Sequence, residues 1–189
     1  MVARSLCFLL VLVSSLWATG PALAGALHQN QILLTKPSPK ELHLEFLINP
    51  TLFLHQVMQP RVGFVDFLKS HAALSEADFQ KSLSKGLRQF GSDNFIHLYS
   101  GEKLKLTHWR LPAASTLQSL LQKNLLLLEL PPEIQAHMEP MIISASVQSR
   151  INLGRIRLVV SPIFHPILVQ YQQDLVWLTP HIPAALIDV

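Results

Sequence analysis

Nine histidines are the chemistry-bearing residues in unusual supply: His28, His43, His55, His71, His97, His108, His137, His165 and His181. Neutral imidazole is the commonest ligand for zinc, copper and nickel, so metal binding is the first chemistry to test. Spacing argues against a metal motif: there is no His-x-His, no HExxH and no pair of histidines four residues apart. Two local groups remain. His137-Met138-Glu139 with Met141 offers an imidazole, two thioethers and a carboxylate, and thioethers suit Cu(I). The plain alternative is that Met138 and Met141 fill core at the start of a strand. Glu41-x-His43-x-Glu45 sets a histidine between two carboxylates, and on a strand these three side chains point together. Such a row holds a cation or is a solvated face. No other cofactor class is indicated, so Cu or Ni on dispersed His and Met residues is the one the composition leaves open.

Catalytic patterns are missing. The chain has no GxSxG, no glycine-rich phosphate loop and only seven glycines. Asp66, Asp78, Asp93 and Asp174 fall in separate elements with nothing to pair them. An enzyme, in the form of an unrecognised hydrolase, would require His97 or His108 beside a buried carboxylate in a cleft.

The first residues carry an address. Arg4, the apolar run Leu6–Val13 and the Ala22-Leu23-Ala24 site read as a secretory signal over residues 1–24, cut between Ala24 and Gly25. The apolar run is short against the roughly 20 residues a spanning helix needs, and with its Leu16-Trp17-Ala18 extension an uncleaved N-terminal anchor is the alternative. No later segment is long and apolar enough to span, so no transmembrane segment is expected after cleavage. The single cysteine, Cys7, leaves with the signal. A thiol-free mature chain excludes a disulfide scaffold, a thiolate zinc site and a cysteine nucleophile. The formal net charge is +3 with Lys and Arg scattered along the sequence, so no basic stripe points to nucleic acid. A single periplasmic domain over 25–189 is the expectation.

The elements that must position these residues are mostly strands. Met141 to Leu178 holds short Ile, Val and Leu runs broken at Ser149-Arg150, Asn152-Leu153-Gly154 and Ser161-Pro162, the pattern of strands separated by turns. Upstream, two strands flank Lys36-Pro37-Ser38-Pro39-Lys40, with Leu42, Leu44, Phe46 and Ile48 facing a core. A helical insertion follows over about 50–91. Its clearest helix starts at Ser75 and carries Phe79, Leu83, Leu87 and Phe90, with Gly91 as its C-cap. A strand, a turn at Ser100-Gly101-Glu102 and a return strand come next. Ala113 to Lys123 is ambiguous, Leu125 to Leu130 reads as a buried strand, and Thr179 to Val189 as an aperiodic tail. Pro162 and Pro166 place Phe164-His165 at a sheet edge or corner. Trp109, Trp177, Tyr171 and Phe164 are core anchors, or interface builders if a sheet face is exposed.

In plan, the chain resembles a known family. The features are the leader, a strand opening near His28-Gln29-Asn30-Gln31-Ile32, a helical stretch, a strand-Gly-strand unit over Phe95–Leu106, and Leu125–Leu130 leading into the last strands. This layout is similar to the periplasmic N-terminal domain of HupE/UreJ-type membrane proteins, relatives of nickel or metal permeases. The sequence departs from them by ending at Val189 without their transmembrane helices. The resemblance therefore implies an accessory module and not transport itself.

Together these readings give a β-rich α+β fold, an antiparallel β-sandwich of Ig-like architecture with a helical insertion. The leading expectation is an exported, non-enzymatic module that binds a membrane or periplasmic protein partner through a sheet face or edge. Metal binding is the alternative.

Overall fold

A computed structural model of the chain describes residues 30–128 and 140–189. The expected leader, its cut after Ala24, His28, Leu130 and the His137-Met138-Glu139 group lie outside the described residues. No described helix is long and apolar enough to cross a membrane.

The described residues form two sheets and four α-helices in a β-rich, sandwich-like arrangement. The strands are β1 (Asn30–Ser38), β2 (Glu41–Ile48), β3 (Phe95–Leu98), β4 (Lys103–Lys105), β5 (Thr107–Arg110), β6 (Met141–Gln148), β7 (Arg155–Val159), β8 (Ile167–Tyr171), β9 (Asp174–Leu178) and β10 (Ala184–Asp188). One sheet has six strands in the order β5-β6-β2-β1-β8-β9, and the other has four in the order β10-β7-β3-β4. Neighbours pair antiparallel except β1 and β8, which run parallel, the one departure from the antiparallel expectation.

Alternation decides which side of each strand is buried. Leu42, Leu44, Phe46 and Ile48 of β2 are buried, as are Ile143, Ala145 and Val147 of β6. In the small sheet the buried set includes Ile96, Ile156 and Leu158. These inner faces share one continuous core, and each fully buried aliphatic or aromatic side chain contributes about 1.5–3 kcal/mol. Pro37 is accommodated because the β1–β2 register shifts between Thr35 and Ser38, where no ladder donor is needed.

The helical insertion holds α1 (Pro50–Met58), α2 (Phe64–Ala72) and α3 (Glu76–Asp93); a fourth helix, α4 (Ala114–Leu127), follows β5. Asn49 caps α1, its Oδ1 accepting from the N–H groups of Thr51 and Leu52 at 3.1 Å. Ser75 caps α3 through the Asp78 N–H at 3.2 Å. The expected C-cap at Gly91 is corrected: α3 continues to Asp93 and Asn94 ends it. Asn94 is buried and ties the helix end to the β7–β8 connection by accepting from Ser161 N–H at 3.1 Å and donating to the Phe90 carbonyl. Phe90 is the ring against which α1, α3 and the six-stranded sheet meet, 5.3 Å from Phe53, 5.1 Å from Phe164, 4.9 Å from Trp109 and 6.1 Å from Phe46. Gly86 permits the close crossing of α1 and α3, since a Cβ there would lie 2.7 Å from Val57 Cγ1.

Two further expectations are corrected. Leu125–Leu127 form the last turn of α4 instead of a buried strand, and Leu126 is exposed; a run of leucines suits either element, and neighbouring Leu117 and Leu121 supply the helical stripe that wins. The C-terminal tail contains β10, paired along its length with β7. Its alternation is only five residues long and Pro183 precedes it, which hid it in the sequence.

The return strand after Gly101 divides at Leu106. β4 stays in the small sheet while β5 joins the edge of the large one. His108 makes the turn with φ 51, and the β5–β6 register shifts between Thr107 and Arg110. A bulged corner of this kind is how a strand changes sheets in a sandwich.

Candidate functional site

The outer face of the six-stranded sheet is built by residues one step out of phase with the core. Register places Trp177 of β9 beside Leu168 of β8, Leu168 beside Gln31 of β1, Gln31 beside Leu47 of β2, and Leu47 beside Ile142 of β6. The next row runs Leu175, Gln170, Leu33, Glu45, Ser144 and Arg110. Trp177 is 44 % exposed, Ile142 56 % and Leu175 60 %, while Leu33, Leu47 and Leu168 are half-buried. From β9 to β6 this row, apolar except at Gln31, spans about 19 Å, four strand spacings. Apolar side chains grouped on one outer face mark interaction sites more often than scattered single residues do, although Gln31 interrupts this row at its centre.

The Glu41, His43 and Glu45 row lies on this same face. His43 Nε2 is 2.9 Å from Glu41 Oε1, both side chains being partly open to solvent. Glu45 stands opposite Leu33 and Ser144, and among the described residues the pair closes without it. Met141 begins β6 with its side chain in the core, 6 % exposed; its expected co-ligands His137 and Met138 lie outside the described residues. Among the described residues no three His, Cys, Asp or Glu side chains gather closely enough to hold a metal ion.

His55, His71, His97 and His108 are held by backbone, hydroxyls and rings. His55 donates to the Val62 carbonyl at 2.6 Å and packs on Phe67. His71 is buried and stacks on Phe67 at 4.4 Å. Burial lowers its pKa below the ordinary histidine value, the Phe67 carbonyl pulls the other way, and His55 adds to the lowering. Both ring nitrogens of His165 are buried without a hydrogen-bond partner among the described residues. Burial lowers that pKa too, and the Thr179 and Val160 carbonyls oppose it from outside hydrogen-bond geometry. His108 Nδ1 meets Ser146 Oγ at 3.1 Å, and His97 packs edge-on against Phe95. The neighbours of His97 and His108 are thus rings, hydroxyls and, by register, Arg157 and Lys103.

Comparison with protein-family models, with curated proteins and with solved structures finds no match for this chain. Its surfaces are therefore what bear on function.

The four-stranded sheet shows a different outer face. One row reads Leu186, Arg157, His97 and Lys103; Arg155 and Lys105 lie in the rows beside it. Arg155 is paired to Asp188, Nε to Oδ1 at 2.7 Å, and this hydrogen bond holds the Asp188 carboxyl below its ordinary value. Lys103 Nζ sits 3.5 Å over the Phe95 ring. Cations that look scattered in the sequence are collected here because β4 and β7 flank β3.

Of the four aromatics expected on strands, Tyr171 and Phe164 are core, Trp109 is half-buried and Trp177 is exposed, and Phe164 lies in a 3-10 turn between β7 and β8 instead of on a strand. The aliphatic residues of the outer face were missed in the sequence. Their signal was present as adjacent pairs, Leu33-Leu34, Leu47-Ile48, Ile142-Ile143 and Leu168-Val169, in which a strand is apolar on both sides.

Proposed function

We propose that this protein is an exported, non-enzymatic binding module that docks a membrane or periplasmic protein through the outer face of its six-stranded sheet. The observation that carries the reading is the row from Trp177 through Leu168, Gln31 and Leu47 to Ile142, in which four of the five outward-facing side chains are apolar. A large aromatic residue with aliphatic neighbours is the composition of an interface centre, and the polar His43, Ser144 and Ser146 beside it suit a rim. Export is supported by the Arg4, Leu6–Val13 and Ala22-Leu23-Ala24 pattern. An accessory role beside a membrane protein is what the resemblance to HupE/UreJ-type N-terminal domains implies.

The test is site-specific photocrosslinking in the native host. A crosslinker at position 142 or 175 should give one discrete adduct that Trp177→Glu removes, while a crosslinker at position 103 should give none of it. Equal adducts from both faces would overturn the reading. Calorimetric titration with Cu(II) and Ni(II) separates it from the metal alternative, because micromolar uptake would move the function to the histidines.

A further inference from the structure

The passage of the chain from β4 to β5 leaves a groove between α3 and the crossing strand, with a volume of about 500 Å³. It lies away from the docking row. Phe90 forms part of its wall, and Leu87, Trp109 and Leu111, packed against the core but only half-buried, complete the apolar lining. Two cations border it from opposite sides, Arg88 on α3 and Lys105 on β4. Both are exposed, neither is held in an ion pair among the described residues, and no carboxylate among them lines the groove.

The groove is kept open by a missing side chain. Gly91 lies on the same face of α3, and a Cβ built there would point at Trp109 Nε1 from 3.5 Å, an ordinary contact. Any longer side chain would occupy the space. The indole N–H is already committed to the Leu106 carbonyl at 3.2 Å. The volume falls in the range of small-molecule sites, which are mostly apolar with a few polar groups fixing orientation. Here the charged groups among the described lining residues are both positive.

We infer that this groove binds a small amphipathic anion, an aliphatic or aromatic body with a single carboxylate or sulfonate head. The body lies against Trp109, Leu87 and Leu111, and the head is held between Arg88 and Lys105. A neutral molecule of the same length gains the apolar contacts but leaves both cations unanswered.

Decanoate and decanol, titrated into the protein carrying Trp17→Phe and Trp177→Phe so that Trp109 is the one emitting indole, test this directly. Decanoate should give a saturable shift, and decanol should bind at least about tenfold more weakly. Arg88→Glu with Lys105→Glu should weaken decanoate by a similar factor and narrow its advantage over decanol. Gly91→Leu should abolish the shift while far-ultraviolet circular dichroism and the melting temperature are retained, since leucine favours a helix over glycine. Equal binding of acid and alcohol, full affinity in the charge-reversed protein, undiminished binding in Gly91→Leu, or no saturable shift with decanoate would each overturn the assignment.

Discussion

Across the outer face of the six-stranded sheet the side chains run Trp177, Leu168, Gln31, Leu47 and Ile142, whereas the row across the four-stranded sheet runs Leu186, Arg157, His97 and Lys103. Both rows come from the same alternation, and both back onto one core. Their difference is one of solvation. A cation left outward is content in water and keeps a face clean of unintended partners, while leucine, isoleucine and tryptophan left outward gain only when something covers them. Under the proposed function, the large sheet is the face that a protein partner would cover, and the small sheet the one that stays wet.

The largest expected effect is on the core that both sheets share. Phe90→Ala deletes the ring shared by α1, α3, β2 and β5 and should cost about 3–5 kcal/mol in urea unfolding, abolishing every binding signal together. Gly86→Ala should cost about 1–3 kcal/mol by forcing α1 from α3, because its Cβ would meet Val57. Neither change discriminates between the faces, so each serves as the control for the rest.

Selective changes sharpen the contrast. Trp177→Glu and Ile142→Lys should remove partner crosslinking while altering unfolding free energy by less than about 1 kcal/mol, as exposed substitutions do. Docking at this face should persist from about 50 mM to about 500 mM salt, since apolar burial is not screened. Arg157→Glu should leave docking intact yet reduce retention on a cation exchanger, an effect that salt erases. If docking proved salt-sensitive, the assignment of the two faces would be reversed.

The smallest effects are in pH. His71 and His165 have folded pKa values lowered by burial, so the unfolded chain binds protons more readily than the folded one. Their contribution is fully present above the unfolded value of about 6.5 and is lost as pH falls below it. Melting temperature should drop between about pH 7.5 and about pH 5.5, and His71→Gln should flatten that slope. Asp188, lowered by Arg155, behaves in the same direction but further down, losing its contribution only as pH falls below the ordinary carboxylate range.

Much of this was legible beforehand. The β1–β2 hairpin, the inward set Leu42, Leu44, Phe46 and Ile48, the Ser75 cap and the four strands after Met141 were readable because each depends on neighbours close in sequence. The buried strand expected at Leu125–Leu130 failed over its described residues, Leu125–Leu127 being helical, because consecutive leucines carry no period. β10 was missed because an edge strand of five residues is specified mainly by its partner β7.

By itself, then, the sequence determined the alternation and the Ser75 cap, since pleat and helical pitch convert spacing directly into faces. It also contains the export pattern on which the proposed compartment rests. Only the tertiary structure decided which aliphatic residues were left over on the outside, that Arg155, Arg157, Lys103 and Lys105 share a face, and that Arg88 and Lys105 border one groove. Those arrangements depend on sheet order and on the crossing at Leu106, which bring together residues far apart along the chain and have no local signature.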